Sequence, residues 1–218
     1  MSVKYRSYNS GTDNKEIGDF LSESYQPGNH DGNWIRPIWD YSCLAADRAA
    51  LARIGVWEEH GRVVAATIFD DDKVCLCAGP HHQNLKDDMR RHAESNLCTE
   101  VDDERSIKIY AYDYDAEQER MLEAAGYVRK TQMDKTLCAM QISPPFPELP
   151  EGFTFKSWDE NDLRKIHRVL YRGFNHPGEP PEDEIESRGL IQSCPTFRKD
   201  PTIVCEAPSG DYATYCGM

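Results

Sequence analysis

No apolar run in this 218-residue chain approaches the length of a membrane-spanning helix, and the opening MSVKYRSYNSGTDN has no apolar core of a secretory signal. A basic face is missing too. Residues 1–145 carry 17 basic and 25 acidic side chains and residues 146–218 carry 8 and 13, for a net charge of −13. Nucleic acid and anionic membrane each need a positive surface, so neither is expected as a partner. None of the eight cysteines (Cys43, Cys75, Cys77, Cys98, Cys138, Cys194, Cys205, Cys216) belongs to a CxxC pair. This removes the common zinc and dithiol signatures and predicts free, mostly buried thiols in a reducing compartment. The expectation is a cytoplasmic protein. Its acidic field suits a cationic or amine substrate, or is simply a solvated surface.

Hydrophobic residues make up 39% of the chain and aromatics 10%, enough for a buried core in one or two domains. The most informative stretch is Lys73–Leu97. Val74 to Ala78 reads as a buried strand, Gly79-Pro80 breaks it, and a helix follows over 81–98, with Leu85, Met89, His92, Ala93 and Leu97 spaced by three and four. The period changes there from two to 3.6. A strand that runs into a helix start can hold an anion, because free N–H groups and the helix dipole point at it.

The surrounding pattern is that of an α/β chain. Lys4 to Tyr8 reads as a strand, and Asp13 as the cap of a helix through Ile17, Phe20 and Leu21. A Gly- and Asn-rich loop over Pro27 to Asn33 precedes an aromatic cluster from Trp34 to Tyr41. Ile54–Glu59 and Val63–Phe69 flank His60-Gly61-Arg62 as a hairpin. A strand over 106–112, a helix over 113–125 closed by Gly126, and a strand over 127–142 complete a first domain, 1–143. Pro144, Pro145, Pro147 and Pro150 mark a linker over 144–151. Beyond it, a strand (153–158), a helix capped by Asp159, a second helix (182–194) and a hairpin (202–206 and 212–218) repeat the opening order.

Other chemistries find less support in the pattern. Asp70, Asp71 and Asp72 read as an exposed acidic turn rather than a metal site. His81, His82 and His92 with Cys75 and Cys77 lack a second strong ligand pair, so no metal is expected. Cys43, Cys98 and Cys205 have no His at a suggestive spacing for a nucleophile. His167 reads as a satisfied core histidine, and no catalytic residue is assigned.

Strand, Pro80, two residues, Gln83 and helix resembles the acetyl-CoA loop of the GNAT N-acetyltransferases, in which Gln or Arg is followed by two free positions, Gly, one free position, and Gly or Ala. Pro80 and Gln83 match; the glycine positions hold Lys86 and Asp88. Gly126-Tyr127 resembles the Gly-Phe of the family's second signature, YxxxGF, with Leu122 at the tyrosine position. The resemblance implies an α/β (α+β) fold with a mixed, mostly antiparallel sheet flanked by helices. It is that of a tandem protein with a degenerate first domain and a second copy (152–218) ending inside its third strand. Acetyl-CoA is the implied cosubstrate. Its site would comprise Cys77 on a splayed strand and Gln83, Asn84, Leu85, Lys86, Asp87 and Asp88. An amine of a small molecule is the implied acceptor, and the aromatic segment would be a substrate lid or core. The alternative is a noncatalytic binding or structural module that has lost the cofactor site. The edge of the last strand predicts self-association into a homo-oligomer.

Overall fold

The computed structural model describes residues 2–26, 33–70, 72–101, 104–130, 148–157 and 161–217. The loop from 27 to 32, Asp71, the expected strand from 131 onward with Cys138, the prolines at 144, 145 and 147, and Trp158 and Asp159 lie outside the described residues. The chain divides into two compact units, Met1–Arg129 and Lys130–Met218.

The first unit opens with β1 (Lys4–Ser7), α1 (Asp13–Ser24), α2 (Arg36–Ala45) and the single turn α3 (Arg48–Leu51). It continues with β2 (Gly55–Glu59), β3 (Arg62–Asp70), β4 (Lys73–Ala78), α4 (Lys86–Asn96), the short hairpin β5 (Thr99–Val101) and β6 (Glu104–Ser106), β7 (Lys108–Ile109) and α5 (Ala116–Ala124). The main sheet has the order β1-β2-β3-β4-β7, antiparallel except for the β4–β7 pair. His60 and Gly61 both take positive φ, 54° and 74°, so the expected hairpin closes on a two-residue turn whose twist matches the strands.

Period-two alternation sorts the sheet into two cores. Ala66 and Ile68 of β3 with Cys75 and Cys77 of β4 pack on α1 and α2 through Ile17, Leu21 and Trp39, and on Trp34 just before α2. Ala65, Val74, Leu76 and Ala78 pack on the opposite side against Leu85, Met89 and Ala93. The aromatic cluster is therefore divided: Trp34 and Trp39 are core, while Tyr41, on α2, is exposed. Several expected bounds shift. The helix expected over 81–98 is a 3-10 turn, Gln83–Leu85, leading into α4. The strand expected over 106–112 pairs in the main sheet only at Lys108–Ile109, because the residues before it fold back as β5–β6. The helix expected from 113 starts at Ala116, where the Asp115 carboxylate accepts the Gln118 N–H at 2.9 Å and caps it. Gly126, at φ 90°, closes that helix as expected, but residues 127–130 are not in a strand.

The second unit contains β8 (Thr154–Ser157), α6 (Leu163–Gly173), α7 (Ile185–Gln192), β9 (Ile203–Glu206) and β10 (Tyr212–Cys216). Its antiparallel sheet has the order β10-β9-β8. Ile166, Val204 and Tyr212 form its core. Asp162 caps α6 through the N–H groups of Arg164 and Lys165 at 2.9 and 3.3 Å.

Asp13 does not cap α1; it is the first helical residue and is wholly buried. Its carboxylate accepts two bonds from the Arg6 guanidinium, at 2.5 and 2.8 Å, and one from the Asn9 N–H at 2.5 Å. Arg6 also reaches Glu58 at 2.7 Å. Strand β1, an edge of its sheet among the described residues, is thereby tied to α1 and β2. Burial opposes the charge on Asp13, but the donors from Arg6 and Asn9 outweigh it and hold the carboxyl below the usual range. The stabilisation is full above about pH 4, the unfolded value, and is lost as the pH falls through the lower folded value. Urea titration is expected to give an Asp13→Asn loss of about 3 kcal/mol at pH 7, shrinking as the solution is acidified.

Candidate functional site

Strand β4 and the helix start after it form the candidate site. Its geometry follows from main-chain alternation. Gly79 N–H donates to the Val64 carbonyl at 2.9 Å, and the pairs Ala66↔Cys77 and Ile68↔Cys75 turn the odd-numbered main-chain groups toward β3. Those of Val74, Leu76 and Ala78 turn to the other side. There β7 runs parallel to β4 only at Lys73↔Lys108 and Val74↔Ile109. Tyr110 N–H donates to the Val74 carbonyl at 2.8 Å, and among the described residues the second ladder ends there.

Side chains take over where β7 leaves off. The Asn33 carboxamide, 2% exposed, accepts the Ala78 N–H at 2.9 Å and donates to the Ala78 carbonyl at 2.9 Å. The Gln83 amide donates to that same carbonyl at 2.9 Å and to the Gly79 carbonyl at 3.1 Å. Next to Asn33, the Trp34 N–H donates to Cys77 Sγ at 3.5 Å, and its ring meets Tyr110 at 6.4 Å between centroids. Gln118 donates to the Tyr110 carbonyl at 2.6 Å, which holds α5 to this strand end. Tyr112, stacked on Tyr114, lies within electrostatic reach of Cys75 and Cys77, and burial pushes its phenol well up, so it stays protonated.

The residues expected to hold the cofactor divide into four groups. Cys77 and Leu85 are buried in opposite cores. Lys86, 6% exposed, turns inward and pairs with Asp115 at 2.6 Å, so its ammonium ties α4 to the cap of α5. Asp87 and Asp88 run along the helix to Arg90 and Arg91, and the Arg90 guanidinium holds the Asp87 carboxyl below the usual range. Gln83 and exposed Asn84 carry the first main-chain N–H groups of the helix start, the ones that a helix leaves unsatisfied. Asn33, Tyr110 and Asp115 were not among the residues expected to form the site. Asp115 before a helical run was a readable cap signal, but nothing local marks Asn33 as the partner of a strand 45 residues away.

The competing chemistries can be placed as well. His82 meets Glu59 at 3.1 Å, and His92 Nε2 faces the Arg53 carbonyl at 2.9 Å. Among the described residues no three His, Cys, Asp or Glu side chains converge as a metal would need. Cys77 Sγ lies 3.5 Å from Cys75 Sγ; that contact and burial push the Cys75 thiol up, away from a nucleophilic thiolate. His167 is core: Nε2 donates to the Pro181 carbonyl at 3.2 Å and Nδ1 accepts from Arg188 at 3.4 Å. A cleft of ≈ 290 Å³ in the second unit is lined by Lys165, Arg168 and Arg172. Glu179 already takes Arg168 and Arg172, at 2.7 and 2.6 Å, and Lys165 donates to the Gly210 carbonyl. No helix among the described residues is long and apolar enough to cross a membrane.

The sequence matches no known family profile and no curated protein. Among solved structures, a tandem GNAT protein from the clavulanic acid biosynthesis pathway, without AcCoA, superimposes with a TM-score of 0.48 at 12% identity, over 98% of this chain and 73% of that one.

Removing Asp115 would leave the buried Lys86 cation uncompensated and uncap α5. Asp115→Ala is expected to cost about 4 kcal/mol in urea unfolding. Adding Lys86→Met should recover most of that loss, since a buried apolar chain needs no partner.

Proposed function

We propose that the first unit is a GNAT-type acyl-CoA-binding domain, and that the protein passes an acetyl group from acetyl-CoA to an amine of a small molecule. The observation that carries this reading is the β4–β7 pair. Two strands that run parallel for two residues and then part leave main-chain groups beside a helix start. Such an edge suits an extended, amide-bearing arm, and the helix start suits its phosphates. The sequence resemblance at Pro80, Gln83 and Gly126-Tyr127 points the same way.

The chain's own part in transfer would be positional. N–H groups of Gln83 and Asn84 would face the pyrophosphate, and the Leu76 N–H, on the β7 side of β4, would face the thioester oxygen. Acetyl-CoA supplies the activated acyl group: the amine nitrogen bonds to the carbonyl carbon, the C–S bond breaks, and the thiol leaves with the proton the amine gives up. No side chain is assigned as acid or base. The acidic balance of the chain favours an amine acceptor.

A noncatalytic module is the second reading, favoured by the occupation of Ala78 and by side chains at Lys86 and Asp88 where the loop would have glycines. Calorimetric titration with acetyl-CoA separates the two. Binding is expected, and Asn84→Asp, which adds a carboxylate at an exposed point of the helix start, should weaken it about tenfold, or about 1.4 kcal/mol. No heat at millimolar acetyl-CoA would favour the second reading.

The second unit is proposed as a partial second copy. Its order β8, α6, α7, β9, β10 repeats β1, α1, α2, β2, β3, with the same antiparallel neighbours. A cross-strand ion pair recurs at the same register: Arg6 with Glu58 and Lys156 with Glu206, at 2.6 and 3.0 Å. Strand β10 is an edge of its sheet among the described residues, and a bare edge pairs readily with another chain. Sedimentation equilibrium is expected to give a mass that rises with concentration; a monomer at all concentrations would count against pairing there.

A further inference from the structure

We infer that Asn33 is an internal stand-in for the ligand. Its carboxamide makes on Ala78 the two bonds that an amide of a bound chain would make, so binding requires its displacement. The inference rests on the acyl-CoA reading above and adds to it a named competitor within the protein.

The geometry makes the substitution specific. Ala78 is the last β4 residue whose N–H and carbonyl turn away from β3. A neighbouring strand would satisfy both with one peptide's donor and another's acceptor. Here one side-chain amide, reaching across 45 positions of sequence, supplies the donor and the acceptor together, each at 2.9 Å. The contact is buried, and Ala78 is itself fully buried, so the free protein spends no main-chain group unpaired at this point. Gln83 holds the Ala78 carbonyl from a second direction, so that carbonyl stays satisfied when Asn33 turns away. The N–H does not, and only an incoming acceptor restores its bond. A pantetheine arm carries two amides on an extended chain and offers both the donor and the acceptor that Asn33 offers. Trp34 is anchored separately, through its N–H on Cys77 Sγ, so the exchange involves the torsions of the Asn33 side chain.

A competitor of this kind lowers apparent affinity by the fraction of molecules in which the edge is open. Calorimetry with coenzyme A and with acetyl-CoA, on the full chain and on Asn33→Ala, tests it. The variant is expected to bind about tenfold tighter than the wild type, and its melting temperature, lower without ligand, should rise more on addition of coenzyme A. Equal affinities would overturn the inference and leave the acyl-CoA reading standing, as would weaker binding by the variant, which would make Asn33 part of the site. Binding by neither protein would overturn both. Should Asn33→Ala not fold, the wild type decides the matter by NMR. The Asn33 side-chain N–H resonances are expected to move toward solvent-exposed values at saturating coenzyme A, and unchanged resonances would overturn the inference.

Discussion

The main-chain hydrogen bonding of β4 is the constraint on which the first unit turns. A strand buried on both faces has to satisfy donors and acceptors along both edges. Strand β3 takes one edge along the whole length of β4, from Asp70↔Lys73 to Ala65↔Ala78. The other edge is taken by β7 only at its beginning. At Ala78 the need is met by the side chains of Asn33 and Gln83, at the point where the chain breaks at Gly79-Pro80 and turns into a helix. An edge of this kind is costly to leave bare, and at Ala78 the protein covers it with carboxamides, which imitate a peptide in both donor and acceptor.

Charge is managed in the same economical way. An acidic chain gains nothing from burying cations unless each meets a carboxylate, and the two most consequential pairs both join separate elements. Arg6 and Asp13 tie an edge strand to α1; Lys86 and Asp115 tie the start of α4 to the start of α5. The second pair has a functional consequence. An ammonium committed to Asp115 is not available to a phosphate, so the proposed reading leaves anion recognition at this helix start to main-chain N–H groups. Asp87 and Asp88 are held by arginines one turn along and are partly neutralised, although exposed pairs of this kind are worth little in stability.

Repetition links the two units at the level of topology. Apart from the single turn α3, the same element order and the same first-strand pairing occur twice, and a cation on the first strand meets a glutamate on the second in each. Their interiors differ. In the second unit a histidine fills part of the core and is satisfied by a carbonyl and an arginine, whereas the first unit sets Ile17, Leu21, Trp34 and Trp39 against its sheet.

Local signals gave the element order. The alternation from Val63 to Phe69, the two-residue turn at His60-Gly61, the break at Gly79-Pro80 and the glycine stop at Gly126 each depend on residues within a few positions, so they could be read without coordinates. Burial of Cys77 and Leu85 followed from periodicity in the same way. Only the tertiary structure decided which polar groups meet. Asn33 with Ala78, Arg6 with Asp13 and Lys86 with Asp115 lie 45, 7 and 29 positions apart, and side-chain hydrogen bonding at such distances leaves no periodic trace. That is why the pairing of Lys86 with Asp115 could not be read beside its expected place in the loop, and why Asp13 read as a cap and proved to be a buried counter-ion. Periodicity reports which face of an element is apolar; the partner that a buried polar group finds is fixed by where the folded chain brings it.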